Sequence, residues 1–194
     1  AHIAVVDGES KITYAGLDDQ VTAMATGLVT HGVAPGDRVA LLLGNRIPFI
    51  VALYGVLRAG GVAVPLNTSS TAAEIEHAVG QSGARAIICD PGTSETVRGA
   101  DVGECVRIMA GANQWEALLA KSDESLLPDT TDPETLAVLL FTSGSTGKPK
   151  AAMLTHRALL ANVTALLDLQ DPPAVTPDDR ALAVLPLFHV YSLN

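Results

Sequence analysis

Leu17, Val21, Met24, Ala25, Leu28 and Val29 recur at the three-and-four spacing of a helix with one apolar face. That helix is predicted to stop near Gly32, ahead of Pro35-Gly36-Asp37, because glycine closes helices and proline does not continue them. The pattern then changes. After its first residue Arg38–Leu43 is an unbroken apolar run, as in a strand covered on both faces. Pro48–Ala59 reads as a helix opened by proline in its first turn and closed by Gly60-Gly61. Val62–Leu66 is a second short strand, Ala72–Ser82 a helix with Thr71 as N-cap, and Ala86–Cys89 a third strand. Residues 90–105, rich in Gly, Asp and Thr, read as loop with one weak helix. Val106–Met109 reads as a further strand and Gln114–Lys121 as a short helix. Beyond these, Leu136–Thr142 is predicted as a strand, Thr155–Asp168 as a helix and Arg180–Leu185 as a strand.

Strands alternating with helices define an α/β fold with a mostly parallel sheet covered by helices. The polar, acidic stretch Ser122–Pro133, with two prolines, is the best linker candidate. It separates residues 1–121 from residues 134–194. In open sheets of this kind ligands bind beyond the carboxyl ends of the strands. The chemically distinctive segment of the chain falls at such a place.

That segment is Thr142-Ser143-Gly144-Ser145-Thr146-Gly147-Lys148-Pro149-Lys150, entered directly from the apolar run Leu139-Leu140-Phe141. Glycines let a backbone bend and approach a ligand closely. Exposed N–H groups and hydroxyls donate to phosphate oxygens, and lysines supply positive charge. The flanking lysines and the preceding strand weigh against an ordinary Gly/Ser turn. The segment is not a Walker A loop: Thr142 stands where the first glycine of that motif belongs, and Pro149 follows Lys148 where a magnesium-holding hydroxyl belongs. Nor is Ser145 a nucleophile elbow, since the glycine spacing is wrong.

Phe141–Lys150 resembles the phosphate loop of the adenylate-forming enzymes, which include acyl-CoA synthetases, aryl-CoA ligases, peptide-synthetase adenylation domains and luciferases. Only the position after the loop departs, with Ala151 where glycine is usual. Other segments agree in the family's order. They are Ile12-Thr13-Tyr14-Ala15-Gly16-Leu17, Leu57–Asn67, and Pro186-Leu187-Phe188-His189-Val190-Tyr191-Ser192, which is similar to a substrate-pocket motif with Ser192 in place of glycine. The resemblance is closest to the fatty-acid–CoA and acyl-CoA ligases and implies the N-terminal portion of the family's large domain, truncated: a first α/β subdomain (1–121), a linker (122–133) and the start of a second α/β subdomain (134–194). It implies an ATP-dependent enzyme that activates a carboxylic acid to an acyl-adenylate and passes it to coenzyme A.

Carried over by position, the resemblance makes Thr142, Ser143, Gly144, Ser145, Thr146 and Gly147 the wrapping of the β- and γ-phosphates. Lys150 offsets their charge. Lys148 occupies a variable position and is either a further phosphate contact or a solvated lysine. Thr142 is also the candidate Mg2+ contact. His189 is the candidate catalytic residue of the acid pocket, set against a purely structural histidine at a helix start. Amino-acid-activating relatives often carry Asp at that position to pair with the substrate's amino group. Histidine there favours a fatty or aryl acid. CoA ligase and adenylate-only ligase stay open. Family elements expected downstream are a Tyr-Gly-x-Thr-Glu segment, a ribose-binding Asp and a C-terminal lid with its lysine. None lies before Asn194, so the chain reads as a fragment inactive alone. The alternative is a non-catalytic nucleotide-binding or interaction module on the same fold.

Composition narrows the partners. With 12 basic and 21 acidic residues in 194, the net charge is −9, which argues against a nucleic-acid binder. No apolar run has the length of a membrane span, and the first residues lack the charged and apolar regions of a signal peptide. The chain therefore reads as cytoplasmic. Cys89 and Cys105 read as buried thiols rather than a disulfide, and the scattered histidines make a zinc site improbable. His156 reads as helix surface or packing. Uncovered sheet edges and apolar faces of a cut subdomain lead to an expectation of self-association or of a stabilising partner.

Overall fold

In the computed structural model the described residues are 2–129, 132–142, 150–169, 176, 178–189 and 193. The chain opens with an antiparallel hairpin, β1 (Ile3–Asp7) and β2 (Ser10–Thr13), turned at Gly8 with φ +60°. Thr13 then caps α1 (Tyr14–Thr30): the Gly16 N–H donates to Thr13 Oγ1 at 3.1 Å. This hairpin was not read from the sequence. Its two short strands bury only Ile12 and carry no apolar alternation long enough to stand out.

The body is a six-stranded sheet of order β6-β5-β3-β4-β7-β8. Its strands are β3 (Arg38–Leu42), β4 (Val62–Pro65), β5 (Ala86–Cys89), β6 (Val106–Met109), β7 (Leu136–Thr142) and β8 (Lys150–Thr155). Every pairing is parallel except that of β7 with β8. The helices between them are α2 (Ile47–Arg58), α3 (Ala72–Ser82), α4 (Ser94–Gly99) and α5 (Asn113–Leu119), with α6 (His156–Leu167) after β8. The mostly parallel, helix-covered sheet is thus the one the alternation predicts. β7, from beyond the linker, adds directly to β4 of this sheet through Ala63 and Val138.

Parallel strands buried on both faces must be apolar throughout, and the two cores show the division residue by residue. Val39, Leu41 and Leu43 pack with Met24, Leu28, Phe49, Val56, Trp115 and Leu118, from α1, α2 and α5. The intervening Ala40 and Leu42 pack on the other face with Ile75, Val79 and Val97, from α3 and α4. β7 alternates likewise, except that Ala137 and Val138 share one core, where the register with β8 shifts between Leu136 and Val138.

Local signals fix the helix ends. In α3, the Glu74 N–H donates to Thr71 Oγ1 at 3.3 Å while Glu74 Oε2 accepts from the Thr71 N–H at 2.8 Å, a reciprocal capping box. These bonds hold the Glu74 carboxyl below its usual range. Gly83, with φ +62°, closes the helix where a side chain would be strained. The backbone after α5 is tied down by Thr26, whose hydroxyl accepts from the Asp123 N–H at 3.1 Å and donates to the Asp123 carbonyl at 3.3 Å.

Two segments differ from the sequence pattern. Lys150–Thr155 carries no strong alternation yet forms β8, because β7 offers it an edge. Arg180–Leu185 carries a strand-like run yet is not a strand. No described strand lies beside it, the Val184 N–H folds back to the Leu182 carbonyl at 3.0 Å, and Leu182 is 84% exposed.

Cys89 and Cys105 are free and buried. Burial pushes each thiol up from 9.0 to about 11, with the Asp90 carboxylate adding to the effect at Cys89 and Arg107 opposing it at Cys105. Both thiols are therefore neutral at pH 7 and slow nucleophiles. Above pH 9 the unfolded chain loses these protons first, so their contribution to stability is lost as pH rises from 9 toward 11. Denaturant midpoints measured across that window are expected to fall. The thiols are expected to react with a thiol reagent at pH 7 only after unfolding.

Two glycines let the helices approach. A Cβ at Gly27 of α1 would lie 2.7 Å from Leu118 Cα of α5, and one at Gly55 of α2 would lie 2.8 Å from Met24 Cβ of α1. The Leu118 backbone cannot yield as a flexible side chain can. Gly27→Ala is therefore expected to cost about 1–3 kcal/mol in denaturant unfolding, despite the helix preference for alanine.

Candidate functional site

The register of β7 and β8 runs from Leu136↔Thr155 to Thr142↔Lys150. Thr142 and Lys150 thus face each other across the open end of a hairpin at the carboxyl end of β7. The Thr142 hydroxyl donates to the Lys150 carbonyl at 3.3 Å. Both residues are exposed. Among the described residues Lys150 has no ion pair. The sequence candidates Ser143, Gly144, Ser145, Thr146, Gly147 and Lys148 lie outside the described residues. The strand delivering the hairpin is held from behind: Phe141 meets the His77 ring of α3 edge-on, with centroids 6.4 Å apart and planes at 68°.

The same edge of the sheet carries the loop after β3. In a parallel sheet β3, β4 and β7 end side by side, so the ends of β3 and β7 are roughly 10 Å apart across β4. Two carboxylates secure this loop. Asp90, following β5, accepts from the Gly44 N–H at 2.7 Å, while Asp7, ending β1, accepts from the Ile47 N–H at 3.2 Å. Arg46 pairs with the same Asp7 oxygen at 3.3 Å. Thr93 adds a bond from its hydroxyl to the Leu42 carbonyl at 3.1 Å.

Between these anchors, Asn45 reaches the segment that precedes His189. Its Nδ2 donates to the carbonyls of Ala183, at 3.1 Å, and Leu185, at 2.7 Å, and its Oδ1 accepts from the Leu187 N–H at 2.8 Å. Sequence reasoning missed Asn45, Asp7 and Asp90. The only local signal was a polar residue following Gly44 directly after a buried strand.

His189 is exposed; its N–H donates to the Pro186 carbonyl at 2.9 Å, and its own carbonyl accepts from the Leu193 N–H at 3.0 Å. Tyr191 and Ser192 lie outside the described residues. His156 begins α6 and donates its N–H to the Thr135 carbonyl at 3.1 Å, beside the Arg157–Glu134 ion pair. That is docking of the helix onto β7. Among the described residues no group of three or more His, Cys, Asp or Glu comes together to hold a metal, and no helix is long and apolar enough to cross a membrane.

Comparison with known proteins agrees with this arrangement. The family model described as AMP-binding enzyme matches residues 1–194. The chain is 40% identical over 191 residues to a feruloyl-CoA synthase of an Amycolatopsis species, covering 98% of this chain and 37% of the relative. It is 36% identical to 4-coumarate–CoA ligase 5 of Oryza sativa subsp. japonica, covering 98% of this chain and 36% of that protein. Its fold superposes on the crystal structure of ATP-bound MatB from Rhodopseudomonas palustris with a TM-score of 0.86 at 30% identity, covering 99% of this chain and 39% of that one. The chain thus spans little more than a third of the length of the relatives it matches.

Proposed function

Because the chain belongs to the AMP-binding enzyme family, we propose that it is the phosphate-binding N-terminal part of an AMP-forming acid–CoA ligase whose substrate is an aryl carboxylic acid. The observation that carries the reading is the hairpin mouth. Thr142 and Lys150 meet there at the carboxyl end of β7 and flank the glycine- and hydroxyl-rich segment 143–149. The feruloyl and coumarate names of the relatives favour a phenylpropenoic acid over a fatty one.

In the proposed reaction a carboxylate oxygen attacks the α-phosphorus of ATP. A phosphorus–oxygen bond forms, the bond to the bridging oxygen breaks, and pyrophosphate leaves. The thiolate of coenzyme A then attacks the acyl carbon and AMP departs. The protein's part is positioning and charge stabilisation. Thr142 and the segment Ser143, Gly144, Ser145, Thr146 and Gly147 supply donors to the β- and γ-phosphates, Lys150 offsets their charge, and Lys148 stands beside them. Magnesium keeps water and substrate phosphates as most of its ligands. A single hydroxyl, Thr142, is therefore a sufficient protein contact for a metal carried on ATP, whose charge it would help to neutralise. His189 lines the acid side. It lacks the permanent anion that a substrate amino group would need. Free thiols are in keeping with a reducing, cytoplasmic setting. On this reading the part from residue 134 onward begins a second α/β subdomain.

A protein of the relatives' length, given ATP, coenzyme A and a hydroxycinnamic acid, is expected to form the acyl-CoA and AMP. The 194-residue chain alone is expected to stay well below roughly one turnover per second. Turnover at that rate by the chain alone, or none by the longer protein with any aryl or fatty acid, overturns the proposal. In the chain itself Lys150→Ala is expected to weaken ATP binding about tenfold, the loss of one charge-assisted contact. Isothermal titration calorimetry with ATP and magnesium reads the change.

The exposed apolar side chains of β8, α6 and the segment after it, including Met153, Leu160, Leu166, Leu182 and Val184, support self-association of the chain as it stands. Light scattering is expected to give a mass that rises with concentration. A constant monomer mass of 20.0 kDa would remove this part of the proposal.

A further inference from the structure

We infer that Asn45 is a positioning residue that latches the backbone carrying His189 onto the anchored β3–α2 loop, and so sets the acid-side wall of the site. The inference deepens the reading of the site as an acid–CoA ligase and rests on it for the identity of the substrate.

The chemistry of the latch specifies asparagine. The segment presents two carbonyls, from Ala183 and Leu185, and one N–H, from Leu187. Backbone carbonyls only accept and backbone N–H groups only donate, so the side chain between them must offer two donors and one acceptor in a planar fork. A primary amide does this. Aspartate, of the same shape, would set a carboxylate oxygen against two carbonyl oxygens. Leucine would leave all the partners unpaired.

The latch is useful because its other end is fixed. Asp90 and Asp7 hold the loop on either side of Asn45 through the N–H groups of Gly44 and Ile47, and the Gly44 carbonyl accepts from the Arg46 N–H at 2.8 Å. Besides these bonds, the segment packs the Leu187 side chain against the core. It is not paired into the sheet, and Leu182, Val184 and Leu185 are exposed. From Leu187 the backbone runs through the turn in which the His189 N–H meets the Pro186 carbonyl. Fixing the Leu185 carbonyl and the Leu187 amide therefore fixes the start of that turn and, through it, the backbone from which the His189 side chain projects. Asn45 itself is exposed and outside both cores, so replacing it should leave the fold intact.

Asn45→Asp and Asn45→Ala test this in the 194-residue chain. The Leu187 amide is expected to exchange with deuterium about tenfold faster in either variant. The His189 imidazole signals in NMR are expected to shift while those of His31 and His156 and the unfolding midpoint stay in place. Unchanged Leu187 exchange or an unmoved His189 signal overturns the latch, whatever the chain's reaction. In the ligase of full length, the variants are expected to raise KM for the carboxylic acid about tenfold at unchanged KM for ATP. Unchanged acid KM, or an equal rise for both substrates, overturns the positioning role. A wild-type ligase without activity would count against the proposed reaction alone, and the exchange and NMR results would still decide the latch.

Discussion

Burial of the parallel sheet on both faces is the constraint on which the rest depends. Each residue of β4 and β5 is buried, as are Val39 to Leu42 of β3. An ionisable or unpaired polar side chain within those strands would bear the full cost of desolvation. The chemistry is therefore expelled to the strand ends, and parallel pairing gathers the carboxyl ends of β3, β4, β5 and β7 along one edge. Thr142, the Gly44–Ile47 loop and Asp90 lie together because the sheet permits polar groups only there.

Loops at such an edge would be mobile if left to themselves, and carboxylates hold them. Asp90 takes the Gly44 amide, Asp7 the Ile47 amide, and Asp37 the Ala34 amide at 2.9 Å on the opposite, amino-terminal side. Each satisfies a backbone donor with a charged acceptor, a stronger bond than one between neutral groups. An acidic chain thus spends part of its negative charge on internal anchoring. It keeps Lys150 at the end of the β7–β8 hairpin without an ion pair among the described residues, where the proposed phosphate contact calls for positive charge.

The hairpin of β7 and β8 turns the sheet from scaffold to site. β7 is gripped on one side by β4, with the His77 ring edge-on against Phe141, while β8 sits at the sheet's edge with its first four residues exposed. A ligand held at the hairpin mouth would therefore rest on one rigid strand and one edge strand. The edge continues into α6, where Leu159 packs against the core while Leu160, Val163, Leu166 and Leu167 are exposed, and into the segment held by Asn45.

The sequence by itself determined what short-range physics controls. Apolar runs marked β3, β4, β5 and β7 as strands, and Thr71, Pro48 and Gly60 marked helix ends, because capping and φ preferences act over a few residues. The order Phe141 to Lys150 carried the family resemblance on which the proposed phosphate contact rests, since a motif depends on residue types in succession. Tertiary structure alone decided the edge. Lys150–Thr155 became a strand because β7 offered it a partner, and Arg180–Leu185 did not because no described strand lies beside it. The bonds from Asn45 to residues 138, 140 and 142 positions away could not be read from either end. Strand pairing and side-chain latches are satisfied by whichever groups the fold brings near, and a chain read in order does not reveal which those are.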